Sequence, residues 1–202
     1  MSTSSYRLGA SVPLPRSLNG SMIARAVEST EVKSSDVVEV FYEQRNAFST
    51  IVGIYGAKAL ASLSPFEPNP HRYRMQGAFP DLRRRGSRGD PPAPADSLES
   101  KASIRPWAVQ AHYDHDGWYV IWRYLVDESL TITGRPVVVW RVHVAFINKI
   151  DWKYEGSTAS AAGGGRTHTF GIREPAKKFG PAAVYERTDI VLSGGKPTYS
   201  LD

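Results

Sequence analysis

The chain has 202 residues, 41% hydrophobic and 22% charged, the balance of an ordinary globular protein long enough to bury one sizeable core. It contains no cysteine, which excludes disulfides, thiolate zinc sites and a cysteine nucleophile. Twenty-five Lys and Arg against 20 Asp and Glu leave a net charge of +5, too modest to name a partner, and no apolar run approaches the roughly 18 residues of a membrane span.

Residues 1–20, rich in Ser and Pro, read as a mobile arm without the apolar core of a secretory signal, so a cytoplasmic protein is expected, with one domain over 21–202. A short helix is predicted from Ser21, as its cap, to about Val32. A stronger one follows Ser34–Asp36, with Val37, Val40, Phe41, Phe48, Ile51, Val52 and Tyr55 at helical spacing towards Leu60. Gly53 and Gly56 either weaken it or permit close packing, and Pro65, Pro68 and Pro70 end it. Residues 72–82 look strand-like, and an Arg-, Gly- and Pro-rich loop runs to about Ala95. A strand over 97–104 is then predicted. The clearest strands are 117–126 and 136–147, dense in β-branched and aromatic residues. Beyond Asp151 the chain turns polar, Gly163–Gly165 mark a flexible loop, and a short strand over 183–192 closes the domain. Helix first, then a mixed central sheet flanked by helices, gives an α/β chain at the border of α+β.

Acid-x-Lys triplets occur three times, at Glu31–Lys33, Glu99–Lys101 and Asp151–Lys153. On a strand such a triplet puts both functional groups on one face, because side chains alternate. Only Glu99 has a Pro-Asp upstream, Pro80-Asp81, with 17 residues between the acids, enough for a hairpin loop. Asp90 competes with Asp81 but sits between Gly89 and Pro91, as turn residues do. Two carboxylates can hold Mg²⁺, a hard cation that retains waters, and a lysine can orient the attacking water in phosphodiester hydrolysis.

In these residues the chain resembles the PD-(D/E)xK nuclease superfamily, most closely its type II restriction endonucleases. The resemblance covers Phe79 to Ile104 directly and the outline from Asp36 to Ile147 loosely. It implies a restriction-endonuclease-like fold, Mg²⁺ on Asp81 and Glu99, and Lys101 acting on the water. It also implies a further acid from the preceding helix, Glu43 or its neighbour Glu39. Double-stranded DNA is the implied substrate, and a homodimer the implied assembly, matching a palindromic site.

Other basic or metal-ligating residues follow from local pattern. Arg83, Arg84, Arg85 and Arg88 fall within six residues and are expected to contact DNA phosphates. Arg166 and His168 beside the triple glycine, and the Lys177–Lys178 pair, are further candidates for DNA contact. His112 and His115, with Asp114 and Asp116, raise the alternative of a zinc hydrolase, although the spacing matches no familiar zinc-enzyme pattern. A second alternative is a non-catalytic DNA-binding module in which Glu99 and Lys101 are structural.

Overall fold

In the computed structural model, which describes residues 6–9, 11–70, 79–159 and 166–200, the first strand and helix already depart from a mobile arm. Strand β1 (Tyr6–Leu8) pairs at a sheet edge. Helix α1 (Gly20–Ser35) starts ahead of Ser21, because the Asn19 side chain accepts the Met22 N–H at 3.0 Å and caps it. The long helix expected after Asp36 breaks at Gln44 into α2 (Glu39–Glu43) and α3 (Arg45–Leu63). Pro65, which has no N–H to give, follows its end.

The strands that follow are β2 (Phe66–Pro68), β3 (Leu82–Arg84), β4 (Ser97–Ser103), β5 (Gln110–Ala111), β6 (Gly117–Val126) and β7 (Val137–Ile147). β3 starts at the last residue of the stretch expected to be strand-like and runs on into the expected loop, and 71–78 fall outside the described residues. The stretch after Asp151 is not simply polar loop. It forms β8 (Trp152–Ala159) and β9 (Arg166–Ile172), antiparallel to each other, while Gly163–Gly165 lie outside the described residues. After α4 (Pro175–Phe179), the single closing strand proves to be two: β10 (Ala183–Arg187) and β11 (Ile190–Ser193), the latter paired with β12 (Lys196–Tyr199).

The result is a mixed α+β chain built on a seven-stranded sheet of order β1-β10-β7-β6-β4-β3-β2. Its pairings are antiparallel except β4 with β6. A parallel neighbour cannot be reached by a hairpin, so residues 104–116 cross over and return to the end of the sheet where β4 began. Buried Arg123 pins that crossover down: its guanidinium donates to the carbonyls of Arg105, Trp107 and Ala108 at 2.6–3.0 Å. Burial, with Arg141 beside it, lowers its pKa to about 9.

Alternation along β6 divides the core. Val120, Trp122 and Tyr124 face α1 and α3, and Leu98 of β4 joins them. Tyr119 and Ile121 face the opposite way, covered by Trp152 and Ile172 of the small β5-β9-β8 sheet and by Phe179 of α4. A register shift at Arg123/Tyr124 leaves Trp140 as an extra residue in β7, so Val137 and Val139 before it, and Val142 and Val144 after it, all reach the helix side.

One acid is buried in that helix-side layer. Glu31 of α1 is 5% exposed and accepts the Val139 N–H at 2.8 Å. Burial raises its pKa from 4.5 to about 7, against that hydrogen bond and the more distant Arg187 and Arg135. With the folded value above the unfolded one, its contribution to stability is complete below pH 4.5 and is lost as pH rises through about 7. The swing is on the order of 3 kcal/mol. Glu31→Gln should therefore gain on the wild type by that order between pH 4.5 and pH 8 in urea unfolding. A wild-type-to-variant difference that does not move with pH would contradict this.

Candidate functional site

Strand alternation decides how β4 is used. Glu99 and Lys101 share the face opposite the helices, and Ser100 between them points back into the helix layer. There the Ser100 hydroxyl donates to the Gly53 carbonyl of α3 at 2.7 Å and accepts from Trp122 Nε1 at 2.9 Å. This contact requires glycine in α3: a Cβ on Gly56 would lie 2.2 Å from Trp122 Nε1. Gly53 and Gly56 thus mark where the helix presses on the strand, and β4 is held rigidly from behind.

Asp81, just before β3, is drawn onto the same segment. Its N–H donates to Glu99 Oε2 at 2.9 Å, while its own Oδ2 accepts the Ser100 N–H at 3.0 Å. Buried Asn69 clamps the approach, donating its backbone N–H to the Asp81 carbonyl and its side-chain amide to the Pro80 carbonyl. Lys101 Nζ stands 2.8 Å from Glu99 Oε1, the two side chains 29% and 12% exposed. The structure therefore brings Asp81, Glu99 and Lys101 together, accessible but largely shielded.

The crossover adds a wall that sequence reasoning did not connect to these acids. Because β6 runs parallel to β4, Glu99 pairs with Tyr119, so the turn 112–116 just before β6 arrives beside the carboxylates. His115 stacks on Phe79, two residues before Asp81, with ring centroids 4.5 Å apart, and Tyr113 flanks it at 5.4 Å. The Tyr119 phenol donates to the His115 carbonyl at 3.2 Å. Burial first, then the charges of Glu99, Asp116, Asp81 and Asp114, hold that phenol far above its usual pKa. Lys149, from the turn after β7, answers these acids: its N–H bonds Asp116 and its Nζ lies 3.5 Å from Asp114. In the sequence this neighbourhood showed only as the His112, Asp114, His115 and Asp116 group, with no link to Asp81 or Glu99.

Other candidates lie elsewhere. Glu39 and Glu43 are exposed on α2, which lies near the far end of β6: Tyr42 neighbours Glu128, and Phe41 packs on Phe48, which meets Tyr124. About five residues, roughly 17 Å of strand, separate that end from Tyr119, so the helix acid is not brought to the site. Of the four arginines, Arg83 and Arg85 pair with Glu67 and Arg84 with Asp96. The extension of β3 through Arg84 turns successive side chains to opposite faces, and these three are engaged within the fold rather than presented together. Arg88 is exposed.

Arg166 opens β9, while its side chain lies outside the description. His168 is exposed and ring-to-ring with Tyr154 at 5.9 Å, and its carbonyl meets His112 Nδ1 at 3.3 Å. Lys177 and Lys178 line a groove beyond the turn that carries Lys149. Among the described residues no group of three or more His, Asp or Glu side chains is placed to hold a metal. His112 and His115, one bonded to a carbonyl and the other stacked on Phe79, do not form a zinc site there.

Two hard carboxylates, one accepting the Asp81 N–H and the other the Ser100 N–H, with an ammonium on Glu99, can share a cation that keeps its remaining waters, the usual manner of Mg²⁺. Among the described residues no helix is long and apolar enough to cross a membrane. Comparison with known proteins finds no matching family model, no matching curated protein and no matching solved structure.

Proposed function

We propose that this protein is a Mg²⁺-dependent DNA endonuclease, of the type II restriction kind, hydrolysing phosphodiester bonds in duplex DNA as a homodimer. One observation carries the reading: Asp81 and Glu99, with 17 residues between them in sequence, are each hydrogen-bonded to the other's strand segment, with Lys101 on Glu99. A surface ion pair between Glu99 and Lys101 would be worth at most about 1 kcal/mol. It would not call for a second carboxylate beside it, whose charge repels the first unless a cation is shared.

Asp81 and Glu99 would hold the metal, and their oxygen donors fit it. Bound Mg²⁺ supplies charge neutralisation at the phosphate and an acidified water. Lys101, held by Glu99 Oε1, would orient the attacking water and offset the negative charge developing on the phosphate. His115, stacked on Phe79, stands beside the carboxylates, and the Asn69 clamp holds the Asp81 backbone.

The test is incubation of purified protein with a long duplex DNA. Cleavage is expected with Mg²⁺ and not with EDTA, and Ca²⁺ alone should support binding with little cutting, since its looser geometry suits oxygen sites without the same chemistry. Discrete fragments are the outcome expected of a restriction enzyme, and a smear would indicate a nuclease without sequence preference. Undiminished cutting in EDTA, or none with Mg²⁺, would defeat the two-carboxylate mechanism.

A further inference from the structure

The turn 148–151 has two sides. On one, Lys149 meets Asp114 and Asp116 beside the carboxylates. On the other lies a groove of about 800 Å³, floored by Trp118 and Phe146 and edged by Ile150, which is 81% exposed. Trp118 and Phe146 stand edge-to-face, 5.4 Å between centroids. The same groove is lined by three cations in unequal states. Lys178 is spent on Asp151 at 2.6 Å, a bond that helps fix the turn. Arg173 is anchored through Nε to the Trp152 carbonyl at 3.0 Å, which sets the orientation of its guanidinium. Lys177 is 80% exposed, with only a loose 3.4 Å contact to Glu174.

An aromatic floor with an anchored guanidinium and an exposed ammonium in the same lining is complementary to a flat ring bearing a phosphate. A plain acyl chain would leave the cations unused, and inorganic phosphate would leave the floor unused. We propose that this groove binds a nucleotide, its base against Trp118, Phe146 and Ile150 and its phosphate on Arg173 and Lys177. The volume suits a ligand of that size, and base stacking of this kind tolerates any sequence. A base must leave its stack to enter, so within a strand the nucleotide is unpaired. Joining the groove to a strand path past Lys149 rests on the nuclease reading; nucleotide binding itself does not.

The test measures binding in EDTA, where cutting plays no part. A fluorescein-labelled single-stranded DNA 12-mer is titrated by anisotropy, with thymidine monophosphate as competitor. Competition at micromolar monophosphate would identify free nucleotide as a ligand of the groove, and binding of the 12-mer without competition would assign it to a strand. Lys177→Glu should weaken binding about tenfold and Ile150→Ser about threefold, while Lys33→Glu, the same charge change on α1, should weaken it far less. Both substituted groove residues are exposed, so folding should survive. Asp81→Asn should leave binding unchanged while removing cleavage in Mg²⁺. Failure of the wild type to bind either probe, or wild-type affinity in both groove variants, would overturn the groove and leave the carboxylate mechanism standing. Retained cleavage by Asp81→Asn would do the reverse.

Discussion

Glu99→Gln is expected to slow DNA cleavage by roughly a thousandfold or more with little change in the fold. The amide is isosteric, so an oxygen can still accept the Asp81 N–H that Glu99 Oε2 accepts at 2.9 Å. What disappears is the negative charge that would bind the metal and hold Lys101. Asp81→Asn should behave alike, since its Oδ2 position on the Ser100 N–H survives in the amide. Lys101→Met should cost roughly a hundredfold, because it affects the water and the developing charge but not the metal's ligands. Thermal melting supplies a second readout independent of turnover. Mg²⁺ should raise the Tm of the wild type through binding to the folded state alone, and the Glu99 variant should lose most of that rise. A variant that keeps both the wild-type cleavage rate and the Mg²⁺-dependent rise in Tm would remove Glu99 from the mechanism.

The largest effect on stability should come from Trp122→Ala. This fully buried indole lies between α3 and β4, so truncation removes its packing and leaves a cavity, at about 3–5 kcal/mol. Trp122→Phe separates packing from hydrogen bonding. It keeps most of the bulk and deletes only the Nε1–H that Ser100 Oγ accepts at 2.9 Å, a loss of about 1 kcal/mol beyond the packing adjustment. Urea unfolding with a common slope gives both values. An alanine variant within 1 kcal/mol of the wild type would mean that the layer behind β4 collapses to fill the gap.

The parts of this architecture legible in the sequence were those with strong periodicity. β4, β6 and β7 were expected within about one residue of where they lie, because β-branched and aromatic runs leave little choice. Glu99 and Lys101 were legible as a pair because alternation on a strand fixes a face, and Asp81 was joined to them by the resemblance carried by Pro80-Asp81. Other features were hidden for identifiable reasons. Nothing local distinguishes the break at Gln44 from continued helix, and β8 and β9 carry too many Gly, Ser and Thr residues to show an alternating pattern. The ion pairs of the arginine cluster were hidden because its acids, Glu67 and Asp96, lie on either side of it in sequence and become partners only once β3 pairs with β2 and with β4. The approach of His115 to Asp81 depends on the parallel β4–β6 pairing, a tertiary choice that no short window of sequence encodes.

Among the described residues, both outer strands of the large sheet, β1 and β2, are three residues long. The β2 edge is further blunted by Pro68 and by Glu67, which is tied to Arg83. Short, charged, proline-bearing borders resist the addition of another strand. A second copy of this chain therefore has little ladder to extend, and a continuous intermolecular sheet is a poor way for two copies to meet. Any twofold partner would instead be gripped by loops and faces, leaving β4, the strand of Glu99 and Lys101, in the interior of its own sheet.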